Sequence, residues 1–263
     1  MQAKLSIRSL AKSWPDGSHA LHDVTFDAAP GERIVVLGPN GSGKSTLLRC
    51  LNGLERFDSG SIHVEGQTLV ELRRRELRWL RRRVGMVFQR FGLVGPASVL
   101  HNVIQGGLGS SGGPHYWWPA TAPTWLREQA YAHLERVGLD GLAGQRTDRL
   151  SGGQQQRVAI ARLLMQDPGV ILGDEPVANL DPTAVRETMD LLWEVTADRE
   201  RTVICVLHQV DLALVYADRI IALRDGRIVQ DGPAAQFDRS MSDAVYGNRG
   251  WHGTEPAPRA GAA

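Results

Sequence analysis

Gly38-Pro39-Asn40-Gly41-Ser42-Gly43-Lys44-Ser45-Thr46 decides the fold. It fits G-x-x-x-x-G-K-[ST], a loop whose glycines let successive backbone N–H groups point inward at phosphate oxygens. By composition alone the pattern arises in roughly one random chain of this length in a hundred. Context makes it specific. Arg33-Ile34-Val35-Val36-Leu37 ahead of it is a continuous apolar run, the mark of a strand buried on both faces. Behind it Leu47, Leu48 and Leu51 keep helical spacing up to the stop at Asn52-Gly53. Strand, glycine loop and helix in that order present a helix N-terminus to an anion. Lys44 would reach the β- and γ-phosphates and Ser45 would bind Mg²⁺.

Further out, the pattern repeats. Val84–Gln89, Val170-Ile171-Leu172 and Thr202–Leu207 read as buried strands. Helices at about 126–137, Leu150–Gln166 and about 183–198 lie between them. Buried strands alternating with helices imply α/β with a mostly parallel core sheet. Leu5–Arg8, Val24–Phe26 and Ser61–Glu65 alternate instead, which implies a smaller antiparallel layer. Trp14-Pro15-Asp16-Gly17 is a turn by chemistry, and Arg224-Asp225-Gly226-Arg227 is a hairpin signal. Residues 105–125 are rich in Gly and Ser, then carry His115-Tyr116-Trp117-Trp118-Pro119 and Trp125, and read as an irregular insertion. No 20–50-residue repeat is visible.

Composition narrows the class. The 263 residues are 42% apolar and 22% charged, which excludes disorder, collagen and coiled coil. No apolar run is long enough to span a bilayer, and MQAKLSIRSL lacks the apolar core of a signal peptide. Cys50 and Cys205 lack metal or redox spacing and read as buried fillers. Of 30 basic residues only Lys4, Lys12 and Lys44 are lysine, so Lys44 stands out. Seven arginines between Arg73 and Arg83 read as a solvated helix face ahead of Val84, and the net charge of +1 argues against a broad basic surface. The tail 251–263 is small and polar and is expected to fray.

Two more stretches carry chemistry. Leu150-Ser151-Gly152-Gly153-Gln154 is either an N-capped helix start or a phosphate contact. Two glycines in a first turn cost roughly 1 kcal/mol each relative to Ala. They make sense where a phosphate must approach bare backbone. Asp174-Glu175 at a strand end is either an acidic turn or a pair in which Asp174 holds Mg²⁺ and Glu175 polarises a water.

Together these residues resemble the ATP-binding-cassette (ABC) ATPases, over roughly residues 3 to 240. Leu150–Gln154 is similar to the family's signature, Val170–Glu175 to its Walker B strand and Asn179-Leu180-Asp181 to its D-loop. Gln89 matches the Q-loop glutamine, His208 the switch histidine and Trp14 the aromatic that stacks on adenine. Trp14 stands where Tyr is more usual, and Gly173 where a small Ala is expected. The resemblance implies a P-loop domain over 1–250. It has a RecA-like parallel-sheet core, an N-terminal antiparallel β-subdomain and a helical subdomain inserted at about 90–165. It implies ATP and Mg²⁺, with the metal near Ser45, Gln89 and Asp174, and Glu175, His208 and Gln89 as catalytic residues. Nucleotide contacts fall to Trp14, Gly38–Thr46 (Gly38, Pro39, Asn40, Gly41, Ser42, Gly43, Lys44, Ser45, Thr46), Ser151, Gly152, Gly153, Gln154 and Asp181. Each ATP would lie between the loop of one copy and the signature of another.

Phe91–Val94, Ser98–Val103, Glu175–Ala178 and Leu207–Ala213 are similar to the phosphonate importer ATPases. That implies permease subunits, an extracytoplasmic substrate-binding protein and a place on the cytoplasmic face of the membrane, with no nucleic acid. The alternative is a soluble cassette acting on nucleic acid or in phosphonate breakdown. A GTPase or kinase has no use for Leu150–Gln154.

Overall fold

A computed structural model describes residues 3–70, 73–109, 118–178, 180–197 and 201–246. His115, Tyr116, Trp117, Asn179 and the tail 251–263 lie outside the described residues.

Two sheets organise the chain. β1 (Leu5–Ser13), β2 (His19–Ala28), β3 (Arg33–Leu37), α1 (Lys44–Leu51), β4 (Ser59–Val64), β5 (Gln67–Leu69), α2 (Arg74–Arg83) and β6 (Val84–Val87) come first. α3 (Val99–Ile104), α4 (Thr124–Arg136) and α5 (Gly152–Gln166) follow. Then come β7 (Val170–Asp174), α6 (Pro182–Ala197), β8 (Thr202–Val206), α7 (Val210–Tyr216), β9 (Arg219–Arg224), β10 (Arg227–Pro233) and α8 (Arg239–Tyr246). One sheet is antiparallel in the order β2-β1-β4-β5; the other runs β10-β9-β3-β8-β7-β6. In the second, β6, β7, β8, β3 and β9 pair in parallel and only the β9–β10 hairpin is antiparallel. This is the expected α/β arrangement.

Period-two alternation explains the layering. Val35, Leu37, Ile171, Val203 and Cys205 point to one side and join a core with α3 to α6. Ile34, Val36, Leu172, Ile204 and Val206 point to the other and join α1, α2 and the antiparallel sheet. Strands covered on both faces have no polar face to show, which is why they read as unbroken apolar runs. The helices α3 to α5 between β6 and β7 share the first of these cores with the sheet.

Boundaries differ from expectation in three places. β6 ends at Val87, not Gln89, because its ladder with β7 stops at Val87 opposite Gly173, and Phe91 N then turns back on Phe88 O at 3.0 Å. α5 begins at Gly152 because Ser151 is extended and serves as its N-cap. β8 stops at Val206, so Leu207 lies just beyond it. The seven arginines of 73–83 are exposed around α2, as a solvated face requires. Asn102, quoted above for its resemblance, is a buried hub. It accepts from Val94 N at 2.8 Å and donates to Val94 O and Ser98 O, both at 3.1 Å.

Candidate active site

The loop Gly38–Gly43 leaves the end of β3, and its backbone is fixed by close approaches. A Cβ on Gly38 would lie 2.1 Å from Leu223 O, and one on Gly43 would lie 2.2 Å from Ala20 O. Gly43, at φ +99, is the N-cap of α1 and offers no side-chain cap; the first turn of α1 holds no acidic residue. The first N–H groups of the helix therefore keep their affinity for an outside anion. Lys44 is buried and donates from Nζ to Gly38 O at 2.7 Å and Pro39 O at 2.9 Å. Burial pulls its pKa below the ordinary lysine value, while Glu175 and Asp174 oppose the shift.

Asp174 ends β7 beside α1 and accepts from Ser45 Oγ at 2.8 Å. Burial raises its pKa, and the Ser45 hydroxyl opposes that. Glu175 follows at φ +50, a left-handed conformation that costs a non-glycine residue on the order of 1–3 kcal/mol. Its Oε1 lies 2.5 Å from His208 Nε2, which comes from just beyond β8. Trp14, Asn40 to Thr46 and Glu175 line one cavity of about 470 Å³, together with Ser18, His19 and Ala20. The residue just beyond β1, the loop and the residue just beyond β7 thus converge on one cavity. His208 joins them through Glu175.

The signature lies elsewhere. Ser151 Oγ accepts from Gln154 N at 3.3 Å, and Gln154 Oε1 accepts from Ser151 N at 3.0 Å, a reciprocal capping box. Asp181 Oδ1 caps α6 through Thr183 N at 3.1 Å and Ala184 N at 3.0 Å. Ser151 to Gln154, Leu180 and Asp181 line a separate cavity of about 380 Å³. A Cβ on Gly153 would make only ordinary contact, 3.7 Å from Ala184 Cβ. Among the described residues nothing demands glycine at 153. A family model described as "ABC transporter" matches residues 21–178, which include both cavities' motifs. The chain belongs to the ABC transporter family.

Relatives extend the likeness to most of the cassette. It is 52% identical over 239 residues to "Phosphate-import ATP-binding protein PhnC" of Mycolicibacterium smegmatis, covering 91% of this chain and 90% of the relative. It is 52% identical over 227 residues to "Phosphonates import ATP-binding protein PhnC" of Nocardia farcinica, covering 86% and 84%. Among solved structures it is similar to cbiO1 of Clostridium perfringens, part of the ABC transporter complex cbiONQ (TM-score 0.78, 32% identity, 90% of each chain). It is also similar to the dimeric cassette MJ0796 bound to ADP and Pi (TM-score 0.78, 32% identity, 89% of this chain and 100% of that one).

The donor set suits Mg²⁺. Ser45 Oγ and Asp174 Oδ1 are hard oxygens brought together at the loop's end. Among the described residues no group of three His, Cys, Asp or Glu could hold a metal alone. Gln89 is exposed in the turn beyond β6 and lines neither cavity. Two contacts escaped the sequence reading. Lys12 Nζ, paired with Glu55 at 3.1 Å, lies 5.1 Å from the Trp14 ring centroid. The signal was there: a lysine kept two residues before Trp14 in a chain of arginines. Tyr246 Oη accepts from Gly38 N at 3.0 Å, and no local pattern marks it.

Proposed function

We propose that this cassette is the ATP-hydrolysing subunit of an importer for phosphonates or a closely related phosphorus oxyanion. The observation that carries the reading is the division of labour on one chain. A phosphate loop with Glu175 forms one cavity, with Asp174 held against Ser45 beside it, and the signature helix start forms another. Each ATP then needs the loop of one copy and the signature of a second. Two relatives at 52% identity differ in the printed substrate, phosphate in one and phosphonates in the other. The shared chemistry is a tetrahedral phosphorus oxyanion.

In this reading Trp14 stacks on adenine. Lys44 leaves the two loop carbonyls for the β- and γ-phosphates. Ser45 and Asp174, with Gln89 on closure, would hold Mg²⁺, which would supply positive charge to the phosphates. Glu175 accepts a proton from the attacking water; His208 fixes its carboxylate and donates to the γ-phosphate. Ser151 to Gln154 of the second copy close over the γ-phosphate with the positive end of α5. Asp181, at the start of α6, lies against the partner's site.

Permease subunits dock on a groove of about 430 Å³ lined by Leu54, Phe88, Gly92, Gln105 and Arg162. Arg162 ties its wall together, donating to Gly92 O at 2.6 Å and Phe91 O at 3.0 Å. No helix among the described residues is long and apolar enough to cross a membrane, so the pathway belongs to those subunits. A position on the cytoplasmic face and an extracytoplasmic binding protein complete the importer. No observation favours nucleic acid.

The test is growth on an alkylphosphonate, phosphite or phosphate ester as sole phosphorus source. Deletion abolishes growth on at least one of them, wild type restores it and Glu175→Gln does not. Purified Glu175→Gln protein binds ATP but keeps about 1% or less of the turnover, since a general base contributes 10²–10⁴-fold. Unchanged growth after deletion, with no redundant importer, sinks the transport assignment. Turnover within about threefold of wild type removes Glu175 as the base.

A further inference from the structure

α8 is the last described element, and it reaches the nucleotide loop. It packs against β9 and β10. Val245 is buried on its inner face, and the adjacent Tyr246 packs against the core shared by the sheet and α3 to α6. Tyr246 Oη then accepts a hydrogen bond from Gly38 N at 3.0 Å, across 208 residues of sequence.

Gly38 is the root of the loop. It is buried, and its contact with Leu223 O leaves no room for a side chain. Its carbonyl accepts from Lys44 Nζ at 2.7 Å. One residue therefore joins α8 to the lysine: the N–H is held by Tyr246 and the C=O holds Lys44. When Lys44 swings to a phosphate, the carbonyl loses its charged donor, but the N–H anchor is unaffected. A buried N–H needs an acceptor, and a loop root fixed before binding spares the ligand the cost of ordering it. Burial also raises the phenol's pKa, so the hydroxyl stays neutral at ordinary pH.

We propose that Tyr246 is a positioning residue of the nucleotide site, through which α8 holds the first residue of the phosphate loop in its binding geometry. The proposal rests on the nucleotide reading above. It gives α8 a share in ATP affinity.

The test uses the purified full chain and a fluorescent ATP analogue with Mg²⁺. Tyr246→Phe raises Kd about three- to tenfold, the span of one neutral hydrogen bond. Turnover of the assembled importer at saturating ATP stays within about twofold, so the change falls on KM. Val245→Ala is the control. It empties part of the same buried face without touching Gly38, so it lowers Tm and leaves Kd in place. Wild type that binds, with Tyr246→Phe unmoved or matched by Val245→Ala, overturns the proposal alone. Wild type that does not bind the analogue overturns the nucleotide reading and the proposal with it.

Discussion

Ser151 has two jobs in this reading, and they can be separated. Within the chain it caps α5, accepting from Gln154 N at 3.3 Å. Across the proposed dimer it faces a γ-phosphate. Ser151→Ala removes both. Losing an N-cap costs about 1 kcal/mol, a fall of about 2–4 °C in Tm for a chain near this size. Losing a hydrogen bond to a charged group costs about 1.5–3 kcal/mol, roughly 10- to 150-fold in rate. Ser151→Asp splits the terms. Aspartate caps as well as serine and suits a helix N-terminus, so Tm stays within about 1 °C. A carboxylate about 4 Å from the γ-phosphate at an effective dielectric near 20 meets about 4 kcal/mol of repulsion. ATPase activity then falls about 10³-fold. Calorimetry on the isolated chain reads the first number, and steady-state ATPase of the assembled importer reads the second. Ser151→Asp with activity within threefold of wild type would show that capping is the whole role of Ser151. A Tm as low as that of Ser151→Ala would refute the capping arithmetic.

Two further outcomes follow from packing. Gly173→Ala places a Cβ 3.0 Å from Cys205 Sγ and 3.4 Å from Pro176 Cγ, so it destabilises by about 1–3 kcal/mol; adding Cys205→Ala recovers most of the lost Tm in the same thermal scan. Burial raises the Cys50 pKa to about 12 and lifts Cys205 further, so a thiol reagent at pH 8 labels neither in the native protein and both after denaturation.

What was legible in the sequence is what is local. Arg33–Leu37 announced a doubly covered strand because neither face meets water. Gly38–Thr46 announced its loop because phosphate binding demands glycine at fixed spacing. Ser151 with Gln154 has the spacing of a capping box and forms one. The illegible parts join residues far apart. Tyr246 meets Gly38 only because α8 folds back on β9 and β10. Gly173 read as a strand-weakening departure, yet the neighbouring strand places Cys205 Sγ only 3.0 Å from where a Cβ would go. Asn102 looked like part of a family stretch and is a structural hub. Gln89 was placed at the end of a strand that stops two residues earlier, since β6 is an edge strand and its ladder with β7 ends at Val87.

The hydrogen bonds of the single chain bear on why a second copy is needed. Lys44 is satisfied by two loop carbonyls and Ser45 by Asp174. Ser151 and Gln154 are satisfied by each other, and Asp181 caps α6. These side chains are thus occupied within their own chain, so in the proposed complex nucleotide displaces real hydrogen bonds to reach them. The bonds of Lys44 and Asp174 inside the chain are already charge-assisted, and in the proposed complex the triphosphate offers Lys44 an anionic acceptor in place of two neutral carbonyls. Hydrolysis is a different matter. Glu175 lies in the loop cavity and the signature lines another, so in the proposed dimer it is a second chain that brings the end of α5 to the γ-phosphate. A site completed by association makes turnover conditional on closure, and closure is a motion a docked permease can feel.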